Sequence, residues 1–246
     1  LFCLGIALLT GCTLAPRPEG ASAISAAVGA PDRPRADIDR DADRKPAELL
    51  VFAGVKRGER IADIMPGEGY FTGIFSRAVG ETGHVYALVP TELAQVAPKL
   101  SDSAKALAAD PAYANVTTAL MPTVSLAAPE PLDLAWTSDN YHDLYAFFGA
   151  DKAALFDAAV FRMLKPGGIF IVIDHAAAPG SPPSAIRRLH RIDCAIVKAQ
   201  AIAAGFVLES ESTILHNPAD LHDQPVFSPS IRGHTDQFIL KFRKPR

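Results

Sequence analysis

Cysteine is scarce: the chain has three in 246 residues, Cys3, Cys12 and Cys194. Two of them stand at the extreme N-terminus, so the body of the chain holds one thiol. That excludes a disulfide framework and a cysteine-based zinc site. No sign of charge dominates either. Lys and Arg number 24 against 27 Asp and Glu, a net charge of -3, so no broad basic face points to nucleic acid. Long apolar runs are missing too. The strongest, "LFCLGIALLTGC", has an apolar core of roughly ten residues, too short to span a bilayer, and no internal repeat is visible. What remains is an ordinary globular composition, 49% hydrophobic and 21% charged, enough for one well-buried domain.

The first residues read as a targeting segment rather than as fold. The chain opens on Leu1 without Met or a basic n-region, so its true start is expected further upstream. "LTGC", Leu9 to Cys12, resembles the bacterial lipobox. That implies a signal peptide over residues 1–11, cleavage before Cys12, lipid on Cys12 and a periplasm-facing outer-membrane location, since Thr13 is unlike the Asp that retains such proteins at the inner membrane. Stable anchoring needs more than one acyl chain. Residues 12–43, with Pro16, Pro18, Pro31 and Pro34, read as a flexible linker with a late helical turn.

From residue 44 to 246 strand and helix patterns alternate. "KPAELLVFAGV" reads as a short helix with Pro46 in its first turn. "RIADIM", "HVYALV", "NVTTAL", "LDLAWTS" and "IFIVID" read as buried parallel strands. "YFTGIFSRAVG", Thr91 to Ala109, "DKAALFDAAVFRML" with Asp151 as its cap, and "SAIRRLHRIDCAIVKAQAIAAG" as one long helix fall between or after them. "FVLESESTI" and "QFILKFR" close the chain as a hairpin. The expected fold is an α/β, Rossmann-like doubly wound sheet of about seven strands, mostly parallel with an antiparallel C-terminal hairpin and helices on both faces.

"DIMPGEGYFT", "LKPGGIFIVIDH" and "AAGFVLESE" in this order resemble the class I S-adenosylmethionine-dependent methyltransferases. "TSDNYHDLY", "LHRID" and "RGHTDQFILKFRKP" resemble a bacterial group described only as predicted methyltransferases. The resemblance implies an enzyme that uses S-adenosyl-L-methionine and a small-molecule acceptor. It assigns cofactor contacts to Asp63, Met65, Gly67, Glu68, Gly69, Tyr70, Phe71, Glu92 and Asp139. Glycines after the first strand let the backbone approach a ligand, and the following helix offers unpaired N–H groups. Two positions depart from the family pattern. Met65 stands where the first glycine falls, and Val89 stands where the second strand ends on an acid. Either Glu92 reaches back to the ribose or the ribose is held differently.

Ligands of open α/β sheets sit outside the carboxyl ends of the strands. "SDNYHD" follows the fourth strand there, and Asp174 and His175 end the fifth. Asn140 and Tyr141 are candidates for orienting a nucleophile, and His142, Asp143, His175 and His190 for moving a proton. His190 and Asp193, three apart on the expected long helix, share a face. None of these residues shows a dedicated metal-ligand spacing, so no metal ligand is assigned. A single histidine is more often a cap or packing residue, and His84 is read so. The roughly twenty irregular residues from His216 to Asp236, with His222, Arg232 and His234, read either as a lid or as an ordered surface loop. An exported chain lies outside the compartment where S-adenosylmethionine is made. Two other classes therefore stay open: a lipid-anchored binding protein on the same scaffold, and a metal-assisted enzyme using the His/Asp rim.

Overall fold

The computed structural model describes residues 19–246. The expectations for the signal peptide, Cys3 and Cys12 fall outside that range. The helices are α1 Glu19–Val28, α2 Arg35–Ile38, α3 Asp41–Arg44, α4 Pro46–Ala53, α5 Tyr70–Val79, α6 Thr91–Val96, α7 Pro98–Ala109, α8 Tyr141–Met163, α9 Pro183–Leu189 and α10 Cys194–Ala203. The strands are β1 Arg60–Ile64, β2 His84–Pro90, β3 Val116–Met121, β4 Leu132–Ser138, β5 Leu164–His175, β6 Val207–Ser212 and β7 Gln237–Arg243.

The seven strands form one sheet in the order β3-β2-β1-β4-β5-β7-β6. The first five run parallel, and β7 pairs antiparallel with both β5 and β6. The expected architecture is thus present. Side chains alternate across each strand. Leu134, Trp136, Ile171 and Ile173 therefore pack with Phe71, Phe75, Leu49 and Leu50 from α5 and α4. Ala135, Phe170, Val172 and Leu240 pack on the other face with Phe156, Val160, Val197 and Phe206. Both faces are covered, which is why the central strands lack polar alternation. The order reverses direction between β1 and β4, and such switch points leave a crevice at the strand ends.

Four expectations about segments are corrected. From residue 19 on, the stretch read as a flexible linker is folded: α1 packs against α5 and α4, burying Ile24 and Ala27. Arg33 is buried as well, in a two-pronged ion pair with Asp41 at 2.7 and 2.8 Å. The single long helix near the C-terminus is two. His190 takes a left-handed conformation (φ 53°) that ends α9, and Ile192 joins the sheet end through a bridge to Ala176. Asp193 then caps α10 by accepting from the Ala195 N–H at 2.9 Å. Its position one residue before an apolar run was the available signal. Asp151 is not a cap, because α8 begins ten residues earlier at Tyr141 and is kinked at Gly149 (φ 82°). The stretch from Thr91 to Ala109 also breaks, with Pro98 opening α7 after Ala97 leaves helical geometry.

Candidate functional site

The loop after β1 is built as the glycines demanded. Gly67 and Gly69 have φ of 60° and 88°, which glycine adopts without strain. A Cβ on Gly69 would stand 2.7 Å from the Leu107 side chain, whereas one on Gly67 would meet nothing within 4 Å. Open space beside Gly67 is what a backbone cradling a ligand requires. Met65, at the place of the family's first glycine, also takes a positive φ of 57°. It is held there by its own N–H to the Leu88 carbonyl (2.9 Å) and by Asn140 donating to its carbonyl (3.0 Å). The left-handed turn survives without the glycine because neighbouring strands hold it. Asp63 sits near the end of β1 and is 3% exposed. It accepts from the Thr72 hydroxyl at 2.6 Å, and burial pushes its acid up to about 6. A small cavity of about 220 Å³ is lined by Asp63, Met65, Gly67, Tyr70, Arg44 and Asp139, among others. A buried carboxylate facing two arginines across this space fits an amino-acid zwitterion, with Asp63 for the ammonium and Arg44 and Arg40 for the carboxylate.

The end of β2 is organised differently. Val89 is buried. Glu92 accepts from the Thr123 N–H at 3.1 Å and the Thr123 hydroxyl at 3.0 Å, and these donors hold its carboxyl below the usual range although burial opposes them. Of the two alternatives, Glu92 reaching back to a ribose would require breaking its bonds to Thr123.

The rim of β4 and β5 gathers most of the candidates. Asp139 (φ 60°) accepts from Arg44 at 3.1 Å and from the Gln237 amide at 2.9 Å. His175 Nε2 lies 3.8 Å from the Asp139 oxygen that accepts from Gln237, while Arg44 takes the other oxygen. The His175 Nδ1 lies 2.7 Å from the Thr235 hydroxyl, and burial lowers its pKa, so the ring is favoured neutral. His142 is 2% exposed, with Nδ1 2.6 Å from Asp174 and Nε2 3.3 Å from Asp143. Burial would lower its pKa, but the flanking carboxylates prevail and raise it well above the imidazole range. His190 approaches Asp143 at 3.1 Å. Two candidates do not join this rim. Tyr141 is fully buried, and its hydroxyl donates to the core carboxylate Asp157 at 2.7 Å, so it cannot orient an acceptor. Asp193 is spent on capping, at Ala195 and at the Gly180 N–H.

A larger cleft of about 800 Å³ continues from the small cavity and shares Arg40, Arg44, Glu68, Phe71, Ser138 and Asp139 with it. One of its walls is the strand ends. The other is made by α2, α3 and the insert before β7, through Asp37, Arg232 and His234. The insert is ordered. Arg191 and Asp220, both essentially unexposed, pair at 2.7 and 3.0 Å. Asp236 accepts from His216 and His222, one on each oxygen, at 2.9 Å. Arg40 and Arg44 lie over the Tyr70 ring at 5.3 and 4.8 Å, and Tyr70 donates to Asp41 at 2.6 Å. Arg40, Thr235 and Gln237 were missed in the sequence. The Arg40/Arg44 spacing of four was the available signal, hidden in a segment that reads as linker.

No known protein-family model matches the chain. Its sequence is 31% identical over 195 residues to the ubiquinone/menaquinone biosynthesis C-methyltransferase UbiE of Yersinia pestis, covering 77% of this chain and 65% of that protein. It is 29% identical over 198 residues to the protein of the same name from Shewanella pealeana, covering 78% and 66%. The chain thus spans just under two thirds of the length of these curated relatives. Among solved structures, a SAM-dependent methyltransferase from Aquifex aeolicus matches with a TM-score of 0.56 at 18% identity, covering 91% of this chain and 97% of that one. The [4+2]-cyclase SpnF matches with a TM-score of 0.59 at 18% identity, covering 83% and 82%. The fold is that of the class I S-adenosylmethionine-dependent methyltransferases, and the sequence is homologous to UbiE-like methyltransferases. A cyclase on the same fold is a reminder that scaffold and reaction are separable.

Proposed function

We propose that the chain is an S-adenosylmethionine-dependent methyltransferase acting on a small-molecule acceptor. The observation that carries this reading is the junction of two cavities at Asp139: a small one with the donor set for an amino-acid zwitterion, and a large one with room for an acceptor. When bound, the cofactor supplies an electrophilic methyl group on a sulfonium. Asp63, Arg44 and the Gly67 backbone would hold its amino-acid end. Asn140 ties the β1 loop to the end of β4, through the carbonyls of Met65 and Ser138, and so keeps the two cavities in register. His175, favoured neutral and oriented by Thr235, is the candidate to take the acceptor's proton. The rest of the rate enhancement is positioning. The lipobox-like Leu9 to Cys12 supports placing the protein on a membrane by lipid at Cys12, facing the periplasm. Among the described residues no helix is long and apolar enough to cross a membrane.

A second reading, a binding protein on this scaffold without methyl transfer, draws support from Val89 and the committed Glu92. One experiment separates the two. The chain is incubated with S-adenosylmethionine and a small-molecule and lipid extract, and S-adenosylhomocysteine is quantified against the Gly67→Leu variant. Product above that background supports the transferase. Saturable cofactor binding with no product supports the binding protein.

A further inference from the structure

We propose that His142, Asp143 and His190 form a binding site for a zinc-class divalent metal ion. The inference stands apart from the cofactor reading, since no proposed cofactor contact takes part in it. One ligand atom from each of the three residues lies within 4.8 Å of the other two. The two shorter separations, 3.3 Å from His142 to Asp143 and 3.1 Å from Asp143 to His190, match the edge of a tetrahedron. Donors ~2.0–2.1 Å from a zinc ion are about 3.3 Å apart.

The independent observation lies behind the cluster. His142 Nδ1 is 2.6 Å from Asp174, which is wholly buried and also accepts the backbone N–H groups of His142 and His175 at 2.6 and 2.7 Å. Asp174 fixes the ring through Nδ1, so that Nε2 faces Asp143 and His190 as a ligand once a metal ion displaces the proton the carboxylates hold there. The backbone supplies the rest. His142 and Asp143 are consecutive at the start of α8, and the left-handed turn at His190 brings its ring to Asp143. Two imidazoles and one carboxylate leave a fourth position for a water or a substrate atom, the composition of reactive rather than structural zinc sites. Asp143 and His190 are partly exposed, so an ion has a way in. The site is also close to the cleft. The His175 ring is 5.6 Å from that of His142, and Phe227, on the cleft wall, packs on His190 at 4.9 Å.

The second histidine cluster shows what a non-site looks like. His216 and His222 each take a different oxygen of Asp236, so their nitrogens do not converge on one point. That arrangement is a clasp for the insert.

The test is metal binding by the full chain. Apo protein is titrated with Zn²⁺, and with Co²⁺ followed by its visible d–d absorption, alongside Asp143→Asn, His190→Asn, Asp174→Asn and His216→Ala. Asparagine at 190 tolerates the left-handed backbone, and circular dichroism checks that each variant is folded. The expected result is one ion per chain with the absorption of a four-coordinate site. Asp143→Asn and His190→Asn lower affinity at least a hundredfold, Asp174→Asn about 10–100-fold, and His216→Ala leaves it unchanged. No binding by the folded wild type at millimolar metal overturns the proposal, leaving these residues as a hydrogen-bonded proton relay. Equal affinity in Asp143→Asn or His190→Asn overturns it too. S-adenosylmethionine binding, measured on the same samples, reports separately on the cofactor reading.

Discussion

The two walls of the large cleft are built by different physics. The strand-end wall, with Ser138, Asp139 and His175, rests on a sheet whose both faces are packed with aliphatic and aromatic side chains. The opposing wall, made by α2, α3 and the insert, has little apolar core of its own. It is fastened by Arg33–Asp41, Arg44–Asp139, Arg191–Asp220 and the two histidines on Asp236. Salt screens the partly exposed pairs such as Arg44–Asp139, while the buried Arg191–Asp220 pair and the apolar packing feel that screening far less. The strand-end wall is therefore the fixed part of the site, and the opposing wall is the part whose attachment can be tuned.

The largest expected break in this contrast is Asp220→Ala. It leaves the Arg191 guanidinium buried without its partner, which costs about 3–5 kcal/mol. Urea unfolding should show that loss, and limited proteolysis should cut the insert between residues 213 and 236 first. An unchanged midpoint would mean that this wall is not held by its buried pair.

On the sheet side, Tyr141→Phe removes the donor to Asp157, whose other oxygen already has no partner. The expected cost is about 1–3 kcal/mol. Burial raises the Asp157 acid to about 7. The folded state then holds a proton that the unfolded state has released from about pH 4 upward. The Asp157 contribution to stability should fall as pH rises from about 4 to 7 and level off above, and Asp157→Asn should remove that part of the slope. Identical slopes in the two proteins would remove the assignment.

Arg44→Ala tests the junction of the walls, since Arg44 lines both cavities and pairs with Asp139. Affinity for S-adenosylmethionine should fall about tenfold, or ~1.4 kcal/mol, with the fold intact. The loss should shrink in high salt, where the wild-type pair is itself weakened. Unchanged affinity would detach the ion pair from the cofactor pocket.

The smallest effect is a pH dependence of the same binding. Asp63 titrates near 6 when buried without a ligand, and a ligand ammonium favours its charged form. Affinity should weaken a few-fold as pH falls through about 6, and Asp63→Asn should bind weakly at every pH. A pH-independent wild type would place the ammonium elsewhere.

The same contrast explains what could be read from the sequence. The strand-end wall was legible because buried parallel strands and positive-φ glycines leave local marks, and the strand-end rule then points to the crevice beside them. The opposing wall was not. "RADIDRDADR" sits among prolines and has no apolar stripe, and its helices are held because Arg33 and Tyr70 donate to its Asp41 and its Arg44 donates to Asp139. The Ile24 and Ala27 pair, three apart, was the faint sign that this stretch packs. The rim candidates of β4 and β5 do meet in space, but the sequence did not show how they pair. Tyr141 lies beside the right residues yet points into the core, since successive side chains on a helix start face different ways. The pairing of His142 with Asp174, 32 residues on, is a tertiary fact that no spacing announces.

The central claim is that the cavity beside Gly67 is an S-adenosylmethionine site. Calorimetric titration of the full chain and of Gly67→Leu with S-adenosylmethionine and S-adenosylhomocysteine tests it most directly. Nothing lies within 4 Å of a Cβ added there, so the side chain has space to enter the cavity, but the positive φ of 60° strains any residue other than glycine, and circular dichroism checks that the variant is folded. The predicted result is micromolar binding by the wild type and none by a folded Gly67→Leu. Absence of binding by the wild type at millimolar ligand, or equal binding by both proteins, would contradict the claim.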